Sequence, residues 1–68
     1  MEHTEYYNKG LRYSIGLTGR DGRRFAVVEI NIKANTSRLM DEWGHYKTAS
    51  EAQKVLDDYA ALAGWDKY

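Results

Sequence analysis

Between Leu11 and Ile32 two stretches of alternating character flank the pair Asp21-Gly22. Alternation with a period of two marks strands that bury one face. Asp-Gly is the preferred pair for a two-residue type I′ turn, because both central residues take positive φ. With Asp21-Gly22 as the turn, partner numbers add to 43. Leu17/Ala26, Ile15/Val28, Tyr13/Ile30 and Leu11/Ile32 then share one face, and all are apolar. The alternate pairs Thr18/Phe25, Gly16/Val27, Ser14/Glu29 and Arg12/Asn31 are mixed. A slip of one residue turns one strand's set to the other face. The pattern therefore predicts a hairpin of about 11–18 with 24–32, with the all-apolar face as its core.

After the polar break Ala34-Asn35-Thr36-Ser37, a third strand is expected within Arg38–Tyr46. Leu39 and Trp43 alternate onto one side and Met40 and Tyr46 onto the other. A bulge at Gly44 would bring Trp43 and Tyr46 to the same side. Asp41 and Glu42 suit an exposed edge, where charge blunts unwanted pairing. Residues 2–9 read either as a frayed extension or as another edge strand.

The helix has both ends written into it. Thr48 as N-cap with Glu51 three residues on forms a capping box. Ala52, Val55, Leu56, Tyr59, Ala60 and Ala63 recur at helical spacing. Gly64 suits a left-handed C′ position, and Trp65 is the apolar residue that folds back on the last turn. This predicts a helix over about 49–63. The expected fold is α+β: a three-stranded antiparallel sheet, a β-β-β-α meander, packed against one C-terminal helix, with residues 1–68 as a single domain.

Composition narrows the setting. The chain has 68 residues and no cysteine, so no disulfide or thiolate metal site can staple it. No apolar run approaches a membrane span and no apolar core follows a basic N-terminus. We read the mature chain as starting at Met1 or Glu2 and as a cytoplasmic protein. Ten basic and ten acidic side chains cancel, but unevenly. Residues 1–38 hold seven basic and four acidic groups, a balance of +3, and residues 39–68 hold three and six, a balance of −3. A domain living on nucleic acid carries a clear basic excess, and this chain has none overall.

Catalytic candidates are thin. His3 and His45 are the only imidazoles and lack ligand spacing, so no metal and no cofactor is expected. Ser14 is mid-strand opposite Glu29, Ser37 lies in a turn and Ser50 opens the helix, none beside a base. The side chains of Asp57 and Asp58 diverge by about 100° on a helix and cannot act as a pair. The chain reads as a non-enzyme. The segment Gly19–Arg24 combines glycines with arginines but lacks the Gly-Lys-Ser/Thr and following helix of a P-loop. It reads as a hairpin turn with solvated arginines or as a basic tip for a phosphate backbone or acidic protein.

In this register the face away from the helix presents Arg12, Ser14, Gly16, Thr18, Phe25, Val27, Glu29, Asn31 and Lys33. Phe25 and Val27 flanking Gly16 make an apolar spot on a face that is usually polar when solvated. Either Phe25 merely covers Gly16, or residues 2–9 fold over it with Tyr6 and Tyr7, or the spot is a partner or dimer contact of the aromatic-plus-arginine kind.

The segment Trp43-Gly44-His45-Tyr46-Lys47-Thr48-Ala49-Ser50-Glu51-Ala52 resembles the strand-to-helix junction of AP2-type three-strand-plus-helix domains and of phage-integrase arm-binding domains. There a Trp-Leu-Gly-x-Phe-x-Thr-x-x-Glu-Ala segment enters the helix. Here Trp43 and Gly44 are adjacent, Tyr46 takes the aromatic place, and Thr48, Glu51 and Ala52 match. WGR-type domains have a similar junction, but their Trp-Gly-Arg element is missing. The resemblance implies a sheet laid in the DNA major groove and read out by Arg12, Arg20, Arg23, Arg24, Phe25 and Lys33. Glu29, Asp21 and the zero net charge depart from that pattern. The chain is also similar in style to small phage counter-defence proteins such as anti-CRISPR inhibitors.

The leading expectation is a non-enzymatic protein-interaction module, an inhibitor that occupies a surface on a larger protein or ribonucleoprotein. Its expected contact residues are Arg12, Arg20, Arg23, Arg24, Phe25, Val27 and Lys33. The alternative is a sequence-reading domain for duplex DNA, and a homodimer through the same face is a third option.

Overall fold

The computed structural model describes residues 4–18 and 24–68. Five strands form one antiparallel sheet, and a single long helix packs on one side of it. The strands are β1 (Tyr6–Asn8), β2 (Leu11–Leu17), β3 (Phe25–Asn31), β4 (Thr36–Leu39) and β5 (Asp66–Lys67), in the order β4-β3-β2-β1-β5. The α+β class and the single C-terminal helix match expectation, whereas the sheet has five strands and not three.

The added strands have simple causes. Tyr6–Asn8 pairs with β2 through the two-residue turn Lys9-Gly10, whose φ values of 48° and 85° are those of a type I′ turn. This strand is not an edge, because β5 pairs on its other side. β4 starts earlier than expected, at Thr36, and ends at Leu39. Asp41–Trp43 is a 3-10 turn instead of strand, closed by Gly44 at φ 93°. Tyr46 rejoins the sheet as an isolated bridge to Phe25, with hydrogen bonds in both directions of 3.0 and 2.7 Å.

The helix α1 (Ala49–Ala63) has the expected bounds. Thr48 Oγ1 accepts the Glu51 N–H at 3.2 Å and donates to the Glu51 carboxylate at 3.2 Å. Gly64 is left-handed at φ 73°, and its N–H and that of Trp65 both donate to the Ala60 carbonyl. Ala52, Leu56 and Ala60 are the buried stripe, while Tyr59 and Ala63 from the expected stripe are exposed. Tyr59 instead stacks on Trp43 with ring centroids 3.9 Å apart. Trp65 folds back onto Tyr13 at 4.2 Å, which ties the helix end to the sheet.

The two central strands have the predicted extents but not the predicted register. Observed partners are Leu11/Asn31, Arg12/Ile30, Tyr13/Glu29, Ser14/Val28, Ile15/Val27, Gly16/Ala26 and Leu17/Phe25, so partner numbers add to 42. The Thr18 N–H continues the ladder to the Arg24 carbonyl at 2.7 Å. The proposed Asp21-Gly22 turn lies outside the described residues. The one-residue shift moves Phe25, Val27 and Glu29 to the helix side and Ala26, Val28 and Ile30 to the other. β3 reads Phe-Ala-Val-Val-Glu-Ile, so its own alternation does not say which side meets the helix.

Packing and polar pairing hold this register. Val27 is fully buried in one cluster with Leu56, Tyr13, Met40, Tyr6 and Ala60. Glu29 is tolerated on the helix side because Tyr13 Oη donates to it at 2.9 Å and Arg38 Nε at 3.3 Å. Burial, followed by the hydrogen bond to Glu29, pushes the Tyr13 phenol up to about 12. Tyr6 shares this behaviour: burial and its 2.7 Å bond to Asp57 push it up to about 12.

Candidate interaction surface

Alternation along each strand defines the face that α1 does not cover. Two rows cross the sheet there. One runs through Ser14, Val28 and Leu39, and the next through Tyr7, Arg12, Ile30 and Ser37. Val28, Ile30 and Leu39 form a contiguous, half-buried apolar patch centred on β3. Ile32, exposed in the following turn, extends it. Gly16 belongs to the same surface: a Cβ there would come within 2.3 Å of Val28 Cγ2, so only glycine lets Val28 lie flat.

The flank towards β1 and β5 is polar and aromatic. The Arg12 guanidinium donates to the Glu5 carboxylate and lies over the Tyr68 ring at 4.6 Å. Tyr68 is anchored through its N–H to the Glu5 carbonyl at 2.8 Å and meets Tyr7 at a centroid distance of 6.3 Å. The hydrogen bond from Arg12 holds the Glu5 carboxyl below its usual range, and the same bond raises Arg12.

The predicted contact residues scatter. Arg12 lies on the open face, and Arg24, exposed beyond the start of β3, falls on that side by alternation. Lys33 is exposed in the Ile32–Asn35 turn. Val27 is in the core at 0% exposure, and Phe25 is half-buried on the helix side, so the expected Phe25/Val27 spot on the open face does not exist. The cause is the register. Arg20 and Arg23 lie outside the described residues. Val28, Ile30 and Leu39 were missed as surface residues. Gly16, expected beside Phe25 and Val27, has Val28 over it instead.

A concave region of about 400 Å3, lined by His45, Tyr46, Lys47 and Glu51, sits at the start of α1. His45 Nε2 is 2.7 Å from Asp41 Oδ1, and Tyr46 Oη donates to the Trp43 carbonyl. Among the described residues no group of three or more His, Cys, Asp or Glu side chains is placed to hold a metal ion. No helix among them is long and apolar enough to cross a membrane. No protein-family model matches the chain, and neither does any curated protein or solved structure.

Proposed function

We propose that the chain is a small non-enzymatic interaction module that engages a protein partner through the open face of its sheet. The observation that carries this is the apolar patch of Val28, Ile30 and Leu39 on the side without a helix. A solvated antiparallel face is ordinarily polar, and apolar patches rimmed by polar residues mark contact sites. Arg12, Tyr7 and Tyr68 supply the aromatic and arginine flank typical of interface anchors. An open sheet face suits contact more than chemistry, as expected of an inhibitor that occupies a surface on a larger protein or ribonucleoprotein.

Duplex-DNA binding through the same face draws less support. Arg12 is already held by Glu5, and apolar side chains line the centre where phosphate-contacting cations would be needed. Affinity capture from the source cell tests the proposal, using the wild-type chain and an Ile30→Lys/Leu39→Lys variant with matched melting curves. The expected result is a protein retained by wild type after nuclease treatment and lost by the variant. Capture that survives both substitutions contradicts the proposal, and capture lost only to nuclease favours nucleic acid.

A further inference from the structure

We infer that the free edge of β4 takes an extended segment of the partner protein as an added antiparallel strand. This rests on reading the open face as an interaction surface and names how the partner meets its border.

The two edges of the sheet are treated differently. Beyond β1 the edge is closed by β5, and the Tyr68 N–H continues that pairing to the Glu5 carbonyl at 2.8 Å. At the other end nothing among the described residues pairs with the outer side of β4. The Met40 N–H donates to the Val27 carbonyl at 2.8 Å, which sets the alternation of the β3–β4 ladder. Thr36 and Arg38 therefore bond inward to Asn31 and Glu29, while the N–H and C=O groups of Ser37 and Leu39 point outward. β4 also lacks the usual protection of an edge. It holds no proline or lysine, and its one charge, Arg38, is turned to the helix side by Glu29 and Glu42.

The same geometry sets the chemistry of the added strand. Its residues opposite Leu39 and Ser37 exchange backbone hydrogen bonds with them and place their side chains on the open face. There they extend the rows Ser14–Val28–Leu39 and Arg12–Ile30–Ser37, so apolar side chains fit. The residue between them lies opposite Arg38 on the helix side. A base there meets Arg38, and an acid meets Glu42, 3.4 Å from Arg38, so an uncharged residue fits. The pattern is apolar–uncharged–apolar. A second copy of β4 does not meet it, because antiparallel pairing of Ser37 with Leu39 sets Arg38 against Arg38.

The probe is the peptide acetyl-Lys-Thr-Val-Thr-Val-Thr-Lys-amide, titrated into the full chain and followed by amide NMR. With an edge this short the complex should be weak, with Kd on the order of 1 mM. The Ser37 and Leu39 amide protons should shift downfield and exchange more slowly, and those of Thr36 and Arg38 should change little. N-methylating both valines, whose N–H groups face β4, should weaken binding by about tenfold or more, whereas N-methylating the central threonine should not. Ser37→Pro removes an outward N–H and no β3–β4 bond, so it should fold and weaken binding by a similar factor. No response of the Ser37 and Leu39 amides at about 5 mM peptide overturns the inference. Binding indifferent to valine N-methylation overturns it too, whether or not Ser37→Pro folds. A silent edge with capture still lost by Ile30→Lys/Leu39→Lys overturns the strand addition alone. A silent edge with variant-independent capture overturns the broader reading as well.

Discussion

The two faces of the sheet are built from the same kinds of residue and behave differently. On the helix side Tyr13 and Val27 are closed under Leu56 and Ala60, and the carboxylate there, Glu29, is matched by Tyr13 and Arg38. On the other side Val28, Ile30 and Leu39 are equally apolar but half-buried, next to small residues and an Arg12–Glu5 pair. Hydrophobicity alone therefore does not tell core from contact surface. What separates them is which face receives the helix, and that follows from a pairing register one residue wide.

Substitutions sharpen the contrast. Val27→Asp buries a charge without a partner and should cost about 4 kcal/mol or more, enough to unfold so small a domain. Ile30→Lys, three residues along the same strand, should change stability by no more than about 1 kcal/mol. Chemical denaturation of the two variants makes the comparison, and equal losses would erase the distinction between the faces.

Alkaline pH acts on the helix side. Tyr6 and Tyr13 have phenols raised from 10.0 to about 12 in the folded state. Their neutral forms are favoured by folding, so that contribution is complete below pH ~10 and is lost as pH rises from ~10 to ~12. Denaturation midpoints should be flat up to the lower value and fall beyond it. Tyr6→Phe and Tyr13→Phe should each lessen the fall.

Gly16 probes the open side. Gly16→Ala should destabilise by roughly 1–3 kcal/mol, because the new Cβ would lie 2.3 Å from Val28 Cγ2. Val28→Ala in the same chain should recover most of the loss. A double-mutant cycle without coupling would place Val28 elsewhere. The smallest effect belongs to neither face: Thr48→Ala should cost about 1 kcal/mol through the lost N-cap.

Much of the fold was legible because local chemistry dictates it. The helix bounds follow from Thr48, Glu51 and Gly64, and the extents of β2 and β3 from their apolar runs. The register was not legible, because Phe25–Ile30 offers an apolar set to each side. Choosing the longer set, Ala26/Val28/Ile30/Ile32, aligned it with the β2 core residues, whereas the structure puts the two sets on opposite faces. The polar evidence for the other choice was non-local: Glu29 meets Tyr13 across β2 and Arg38 across β4. β1, three residues long, was too short to show a period and so was left open between a frayed extension and an edge strand, while β5, two residues long, is defined only by its pairing with β1. The candidate site inherited the error, keeping Arg12 and Arg24 while exchanging Phe25 and Val27 for Val28, Ile30 and Leu39.

Everything said of the open face depends on that register, and proton NMR reads it directly. The ladder bonds at Thr18/Arg24 and Gly10/Ile32 make Ile15/Val27 and Tyr13/Glu29 non-hydrogen-bonded pairs, whose Cα atoms approach to about 4.5 Å. Strong Hα–Hα Overhauser contacts between Ile15 and Val27 and between Tyr13 and Glu29 are the predicted result. Contacts between Ser14 and Glu29 or Tyr13 and Ile30 in their place would return Val28 and Ile30 to the core and contradict the account.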